Sequence, residues 1–325
     1  MHFDTNLAAG PMLAPFPTDL SGRLQLLLLS TLKDASLKSY VAALENLKTD
    51  SDQAGVSWER LSELQRDIFL AELIAEKSES PGEHVSRYTV LLAALHKISP
   101  HQRYRVALKS IEAWRASLPV RQAPAMPTAL NRAIAALSLC LGEVAFAALA
   151  LLCHSGMLRV GEALSLMTRD VILDANARIV ILLHVSKRGS QEQVVVTCPH
   201  LHALLSSLVR QRSLDDPLFG LSYYRVLKLL RAAALTLGLD SFGFTTHSWR
   251  RGGASEAMAA GAPVEDICVR GRWASLSSAR LYIRKGEVFL NEFRAKLAGK
   301  SWETVVGLGR CLPRTIQIAL CKKKP

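Results

Sequence analysis

Aromatic residues are scarce, at 6% of 325 positions, so aliphatic side chains must fill most of any interior. With 49% hydrophobic content there is apolar surface for two cores, and a chain of this length folds more readily as two domains than as one. Acidic residues are short: 28 Asp and Glu face 40 Lys and Arg, a formal charge of +12. That excess favours a polyanionic partner, nucleic acid first, over a small neutral substrate; a basic surface kept for solubility is the plain alternative. The six cysteines, Cys140, Cys153, Cys198, Cys268, Cys311 and Cys321, form no C-x-x-C pair and no ligand spacing with histidines. Zinc and iron are therefore not indicated, no cofactor is expected, and the thiols read as reduced ones of an intracellular protein. No signal peptide is expected either: Asp4 stands where positive charge belongs, and LQLLLLSTL at Leu24 to Leu32 is too short to span a bilayer. The one long apolar run, Ala133 to Leu158, holds Gly142-Glu143 well inside it. A charged glutamate there would cost about 2.5–3.5 kcal/mol in a membrane, so two buried helices of a globular core are expected and no membrane partner.

What is present is mostly helical. Residues 1–20 are rich in Pro, Gly and Ala without periodicity and read as a flexible arm. From 21 to 117 the apolar spacing predicts a bundle of about four helices, with Leu37, Tyr40, Val41, Leu44 and Leu47 on one face and Leu61, Leu64, Ile68, Leu70 and Leu73 on another. LPVRQAPAMP, within 118–127, carries three prolines and reads as a semi-rigid linker. Beyond it, Arg178 to Thr197 reads as a β-hairpin with Lys187 at its tip, and His200 to Arg212, Tyr223 to Leu237 and Val264 to Val269 as helices. The fold class is thus mainly α with a small β-hairpin or sheet. Residues 299–325 carry an excess of five positive charges and read as a basic tail, nucleic-acid-binding, nuclear-targeting or disordered.

The chemistry concentrates between Thr245 and Arg284. His247 and Arg250 are three apart just after Thr245 and Thr246, which can cap a helix, so both should point from its first turn toward one spot. Such a spot suits an anion: a planar fork of donors, an imidazole that titrates near neutrality, and free backbone N–H groups. Downstream, Gly271-Arg272-Trp273 breaks the chain before a helical segment carrying Tyr282, an oxygen nucleophile if a phosphate lies within reach. Upstream, Arg159 stands at a helix junction with Glu162 three residues on.

In order and spacing these residues resemble the tyrosine recombinases, or phage-type integrases: an Arg with a nearby Glu, a Lys on a β-hairpin, His-x-x-Arg, a His or Trp, then the nucleophilic Tyr. HSWRRGGASEAMAAG followed by GRWASLSSARLYIR is most similar to the Cre-like variety, which has Trp at the fifth position. The resemblance implies a helical core-binding domain at 21–117, a catalytic domain at 128–298, and closure of the two around double-stranded DNA, with Lys33, Lys38, Lys48, Arg87, Lys97, Arg103, Arg105 and Lys109 as candidate phosphate contacts. It implies that Tyr282 attacks the scissile phosphate, Arg159 and Arg250 grip its oxygens, Lys187 protonates the leaving 5′-oxygen, His247 and Trp273 donate hydrogen bonds, and Glu162 orients Arg159 or His247. Neither metal nor ATP is implied. Arg251 and Arg284 are left as candidate contacts to backbone phosphate. A homo-tetramer on DNA is implied, with Val288, Leu290, Phe293 and Leu297 docking on a neighbour or on their own subunit. The compartment would be the nucleus in a eukaryote, otherwise cytoplasm or nucleoid. A type IB topoisomerase shares this chemistry but usually has Lys where this chain has His247; a non-catalytic DNA-binding descendant is the remaining alternative.

Overall fold

The computed structural model describes residues 31–118 save 33, 123–184, 192–280, the positions 283, 290 and 293, and 300–321. Lys187, Tyr282, Arg284, Lys33, the arm at 1–20 and the terminal lysines lie outside the described residues. The chain divides into two compact units, Met1–Arg121 and Gln122–Pro325.

In the first unit, α1 (Asp34–Gln53) packs on α3 (Val85–Ile98), and α2 (Glu63–Ser78) on α4 (Arg105–Ser117). Ser62 starts α2 with a reciprocal capping box: Gln65 N–H donates to its hydroxyl and Ser62 N–H to the Gln65 side chain. Leu70, Leu73 and Ile74 face inward while Leu64 and Ile68 are exposed, so the apolar set expected for this helix is corrected at two of its members. Tyr88 and Trp114 meet at 5.8 Å in the core. The start of α4 lacks a cap of its own; Asp67 of α2 supplies one, accepting from Val106 N–H at 3.0 Å and Ala107 N–H at 2.9 Å. A groove beside α3 and α4 is lined by His96, Arg103, Arg105 and Arg115.

The second unit is built around α5 (Thr128–Cys140) and α6 (Val144–Ser155). The apolar run does break as expected, at Leu141–Glu143, where Gly142 takes φ 81. Residues Phe146 through His154 are all buried, which is why α6 carries no polar face. Among the described residues no helix is long and apolar enough to cross a membrane. After α7 (Val160–Leu164) come β1 (Val171–Leu173), β2 (Arg178–Leu183) and β3 (Glu192–Thr197), an antiparallel sheet in that order. The hairpin anticipated from sequence thus gains a short third strand. Ile179 pairs with Val196 and Ile181 with Val194, and these four face inward by the period-two rule. The unit continues with α8 (Pro199–Arg210), α9 (Tyr223–Thr236), α10 (Thr246–Ala259) and α11 (Val264–Gly271).

The segment expected as a basic tail is ordered helix in its described part. Here α12 (Lys300–Arg310) and α13 (Leu312–Cys321) pack on α5, and α13 also on α8. Val305, Leu312 and Ile316 are buried, and the absence of a side chain at Gly309 lets α12 approach the Ala129 carbonyl. Of the stripe before them, Leu290 and Phe293 are buried in their own unit, Phe293 against Phe242 at 4.8 Å and Trp302 at 6.1 Å.

Candidate active site

Three stretches far apart in sequence are drawn together around one backbone carbonyl. The first is the junction after α6. Gly156 is crowded by Val194 and Val196 of β3, and Met157 takes a left-handed φ of 48, which turns the chain before α7. Arg159 is the N-cap of α7; its N–H donates to Glu162 Oε2 at 2.8 Å and its Nη1 to Glu162 Oε1 at 2.5 Å. The Arg159 side chain keeps 32% of its surface exposed, whereas Glu162 keeps 8%.

The second stretch is α10. Thr245 caps it, accepting from His247 N–H at 3.3 Å, while Thr245 N–H donates to Ser248 Oγ at 2.9 Å. Trp249 is fully buried and meets Phe146 of α6 edge-on at 5.9 Å, fixing the helix's rotation. Gly252 and Gly253 let the backbones touch: a Cβ on either would stand 2.0 Å from a carbonyl oxygen, that of Met126 or of His154. So lodged, Arg250 is 2% exposed and donates from Nη1 to Met157 O at 2.5 Å and from Nη2 to Gly271 O. Its guanidinium lies 4.5 Å from the Trp273 ring centroid, a cation–π contact.

The third stretch is Gly271-Arg272-Trp273. A Cβ on Gly271 would fall 1.7 Å from the Trp273 ring, so only glycine lets the indole fold back under Arg250. Arg272 takes the left-handed conformation, φ 55 and ψ 42, at a cost of about 1–2 kcal/mol for a residue with a Cβ. Its Nη2 donates to Glu162 Oε2 at 2.8 Å and to Met157 O at 3.2 Å, and its Nε lies 3.4 Å from Glu192 Oε2 at the start of β3. Burial alone would raise the Glu162 pKa; Arg272, then the N–H and guanidinium of Arg159, outweigh it and hold the carboxyl below its ordinary value. Among the described residues the cluster holds three guanidinium groups and two carboxylates, one positive charge in excess.

Of the residues singled out from sequence, Arg159, Glu162, Arg250 and Trp273 are thus brought into one cluster. His247 is exposed in the first turn of α10, one turn before Arg250. Lys187 falls in the connection whose two ends are described: His184 Nε2 donates to the buried Asp170 at 2.6 Å, and Glu192 meets Arg272. Around Tyr282, Ala279 and Ile283 are buried in a cluster with Met157, Ala254 and Ile267. Arg251 is corrected: rather than facing outward toward a phosphate it is buried and donates to the Ala123 carbonyl at 2.7 Å. In the first unit Arg87 is likewise engaged, with Glu83 at 2.8 Å and Asp50 at 3.1 Å, while Lys38, Lys48, Arg103, Arg105 and Lys109 are exposed. Sequence reasoning missed Arg272; its only signal was an arginine standing where a chain break invites glycine.

No family model matches the chain, and no curated protein matches it. Among solved structures it is similar to a XerH site-specific recombinase bound to a palindromic difH substrate in a post-cleavage complex, with TM-score 0.60 and 18% identity over 82% of this chain and 80% of that one. It is similar also to the pre-cleavage complex of XerH with difH, with TM-score 0.57 and 17% identity over 87% and 86% of the two chains. The chain therefore shares the fold of these recombinase structures, a mostly helical body with a small three-stranded antiparallel sheet.

Proposed function

We propose that this chain is a tyrosine recombinase that breaks and rejoins double-stranded DNA at specific sites through a 3′-phosphotyrosine intermediate. The observation that carries the reading is that Arg159, bonded to Glu162, and Arg250, bonded to the Met157 carbonyl, are linked through Arg272, which donates to both of those acceptors, beside a tryptophan nine positions before Tyr282. The shared fold with a recombinase seen before and after cleavage of its substrate supports it.

In this mechanism the Tyr282 oxygen attacks the scissile phosphorus. A Tyr–O–P bond forms, the P–O5′ bond breaks, and Lys187 gives its proton to the departing 5′-oxygen. A 5′-hydroxyl of a partner strand then attacks the phosphotyrosine: a P–O5′ bond forms, the Tyr–O–P bond breaks, the hydroxyl's proton goes to Lys187 and the tyrosine oxygen regains its own from His247, so one phosphodiester replaces another. Arg159 and Arg250 neutralise the non-bridging oxygens as charge shifts onto them in the five-coordinate transition state. Trp273 and His247 donate hydrogen bonds, and His247 assists deprotonation of Tyr282, whose ordinary pKa near 10 keeps it protonated at neutrality. Glu162 orients Arg159. The exposed basic residues of α1, α4 and the groove beside α3 contact backbone phosphate, and the working assembly is a homo-tetramer on DNA.

The test is covalent trapping on nicked duplexes of random sequence, followed by sequencing of the attached strand. Wild type is expected to form an adduct. Tyr282→Phe is expected to abolish it while binding DNA as before; equal adduct in the variant would rule out this nucleophile. Removing either Arg159 or Arg250 is expected to slow adduct formation by about 10²–10³, as loss of an oxyanion donor does.

A further inference from the structure

Arg272 bridges the α7 start, the β3 start and the turn after α11, and it does so from a backbone conformation that glycine adopts at less cost. Its side chain is 5% exposed and is engaged from several sides by the protein itself. One guanidinium reaches Glu162 at 2.8 Å, Met157 O at 3.2 Å, Glu192 at 3.4 Å and Arg270 O at 3.0 Å.

We propose that Arg272 is a positioning residue that sets the phosphate-binding group: Arg159 through Glu162, the root of the hairpin through Glu192, and Trp273 through the turn it terminates. The inference rests on the function proposed above. Glu162 Oε2 accepts from both the Arg159 N–H and Arg272, so its charge is shared between two guanidinium groups. Without Arg272 the whole carboxylate charge falls on Arg159, which then attracts an anion less strongly. The same loss frees Glu192, and with it the strand that opens onto the Lys187 connection. Only a forked guanidinium spans these acceptors at once; a lysine carries the charge but not the fork.

The test uses the full chain with Arg272→Gly, Arg272→Lys and Glu192→Gln, followed in three ways: the backbone amide spectrum, the guanidinium Nε–H signal of Arg159, and adduct formation on nicked random duplexes alongside duplex affinity. Glycine eases the left-handed turn, so Arg272→Gly is expected to keep the amide spectrum except near Arg159 and the start of β3, and to keep the duplex affinity, which many other basic residues supply. It should nevertheless lose the Arg159 signal and form adduct about 10–100-fold more slowly, the usual effect of removing a group that orients a site ligand. Arg272→Lys should restore neither the signal nor the rate. An Arg272→Gly protein with wild-type rate and an unchanged Arg159 signal would overturn the proposal. Should that variant fail to fold, Glu192→Gln decides: slower adduct formation at unchanged affinity supports the tether, and a wild-type rate overturns it. If wild type itself forms no adduct, the recombinase reading fails, and the Arg159 signal in Arg272→Gly still decides the positioning claim on its own.

Discussion

Arg250 and Arg272 donate to the same acceptor, the carbonyl oxygen of Met157, at 2.5 and 3.2 Å. Because that acceptor is backbone, no side-chain deletion at position 157 removes it; what presents it is the left-handed turn at φ 48. A β-branched residue is a genuine outlier in that region, whereas leucine is strained no more than methionine. Met157→Val is therefore expected to destabilise the second unit by about 1–3 kcal/mol and to broaden the Arg250 Nε–H signal, with Met157→Leu close to wild type. Urea unfolding and guanidinium NMR check this, and equal behaviour of the two variants would show that the turn does not govern the carbonyl.

Gly271→Ala tests the packing of Trp273. The added methyl would collide with the ring at 1.7 Å, far inside van der Waals contact, so the ring must leave its place beside Arg250. The expected outcome is a shifted Trp273 indole N–H signal, destabilisation within the usual 1–3 kcal/mol of overpacking, and slower adduct formation. An unmoved indole resonance would contradict the geometry.

How much of this was legible beforehand follows from what each feature depends on. Helix spacing and capping are local, so α9 to α11 and the break at Gly142 could be read directly. The joint order of Arg159, Glu162, His247, Arg250 and Trp273 pointed to one place, and four of these five do lie together: Arg159 with Glu162, Arg250 with Trp273, and Arg272 joining the two pairs. Arg272 was illegible because its role depends on a left-handed residue 115 positions earlier and on a strand start that no periodicity marks. Leu64 and Ile68 share one side of α2 while Leu70, Leu73 and Ile74 lie round the other, and only the latter side meets the core, a choice made by packing between helices that spacing within one helix does not fix. In 299–325 the charges drew attention from Val305, Leu312 and Ile316, a spaced apolar set that a packed pair of helices requires.

In the first unit, Asp67→Ala should be costly for a surface-like substitution of an acidic residue. Asp67 is 5% exposed and satisfies two backbone donors at the uncapped start of α4. Its removal strands the buried Ala107 N–H, with a desolvation penalty of about 1–3 kcal/mol, and leaves the half-exposed Val106 N–H to water. The expected loss is at least 1 kcal/mol in urea unfolding of that unit, with amide exchange accelerated first at the start of α4. Uniform exchange along α4 would count against a capping role.

Acid should unfold the second unit in two stages. His154 is buried and donates from Nε2 to Met126 O at 3.1 Å; burial pulls its pKa below the ordinary 6.5, against the smaller upward pull of that hydrogen bond and of Glu256. Burial lowers His200 as well, with Arg132 adding to it. Between the folded and unfolded values the unfolded chain binds more protons, so this contribution is complete above pH 6.5 and is lost as the pH falls below it. Glu162 follows the same sign for another reason: its arginine partners depress its pKa, and that stability is present above 4.5 and lost as the pH falls through the lower folded value. Stability to urea is therefore expected to be level near neutrality, to decline below pH 6.5 and to decline more steeply below 4.5. His154→Gln, which keeps a donor for Met126 O but cannot titrate, should flatten the first decline and leave the second. A wild-type curve that stays level from pH 7 down to 5 would mean that His154 takes its proton without unfolding, and that the contact between α6 and the Met126 segment is not the acid-sensitive one.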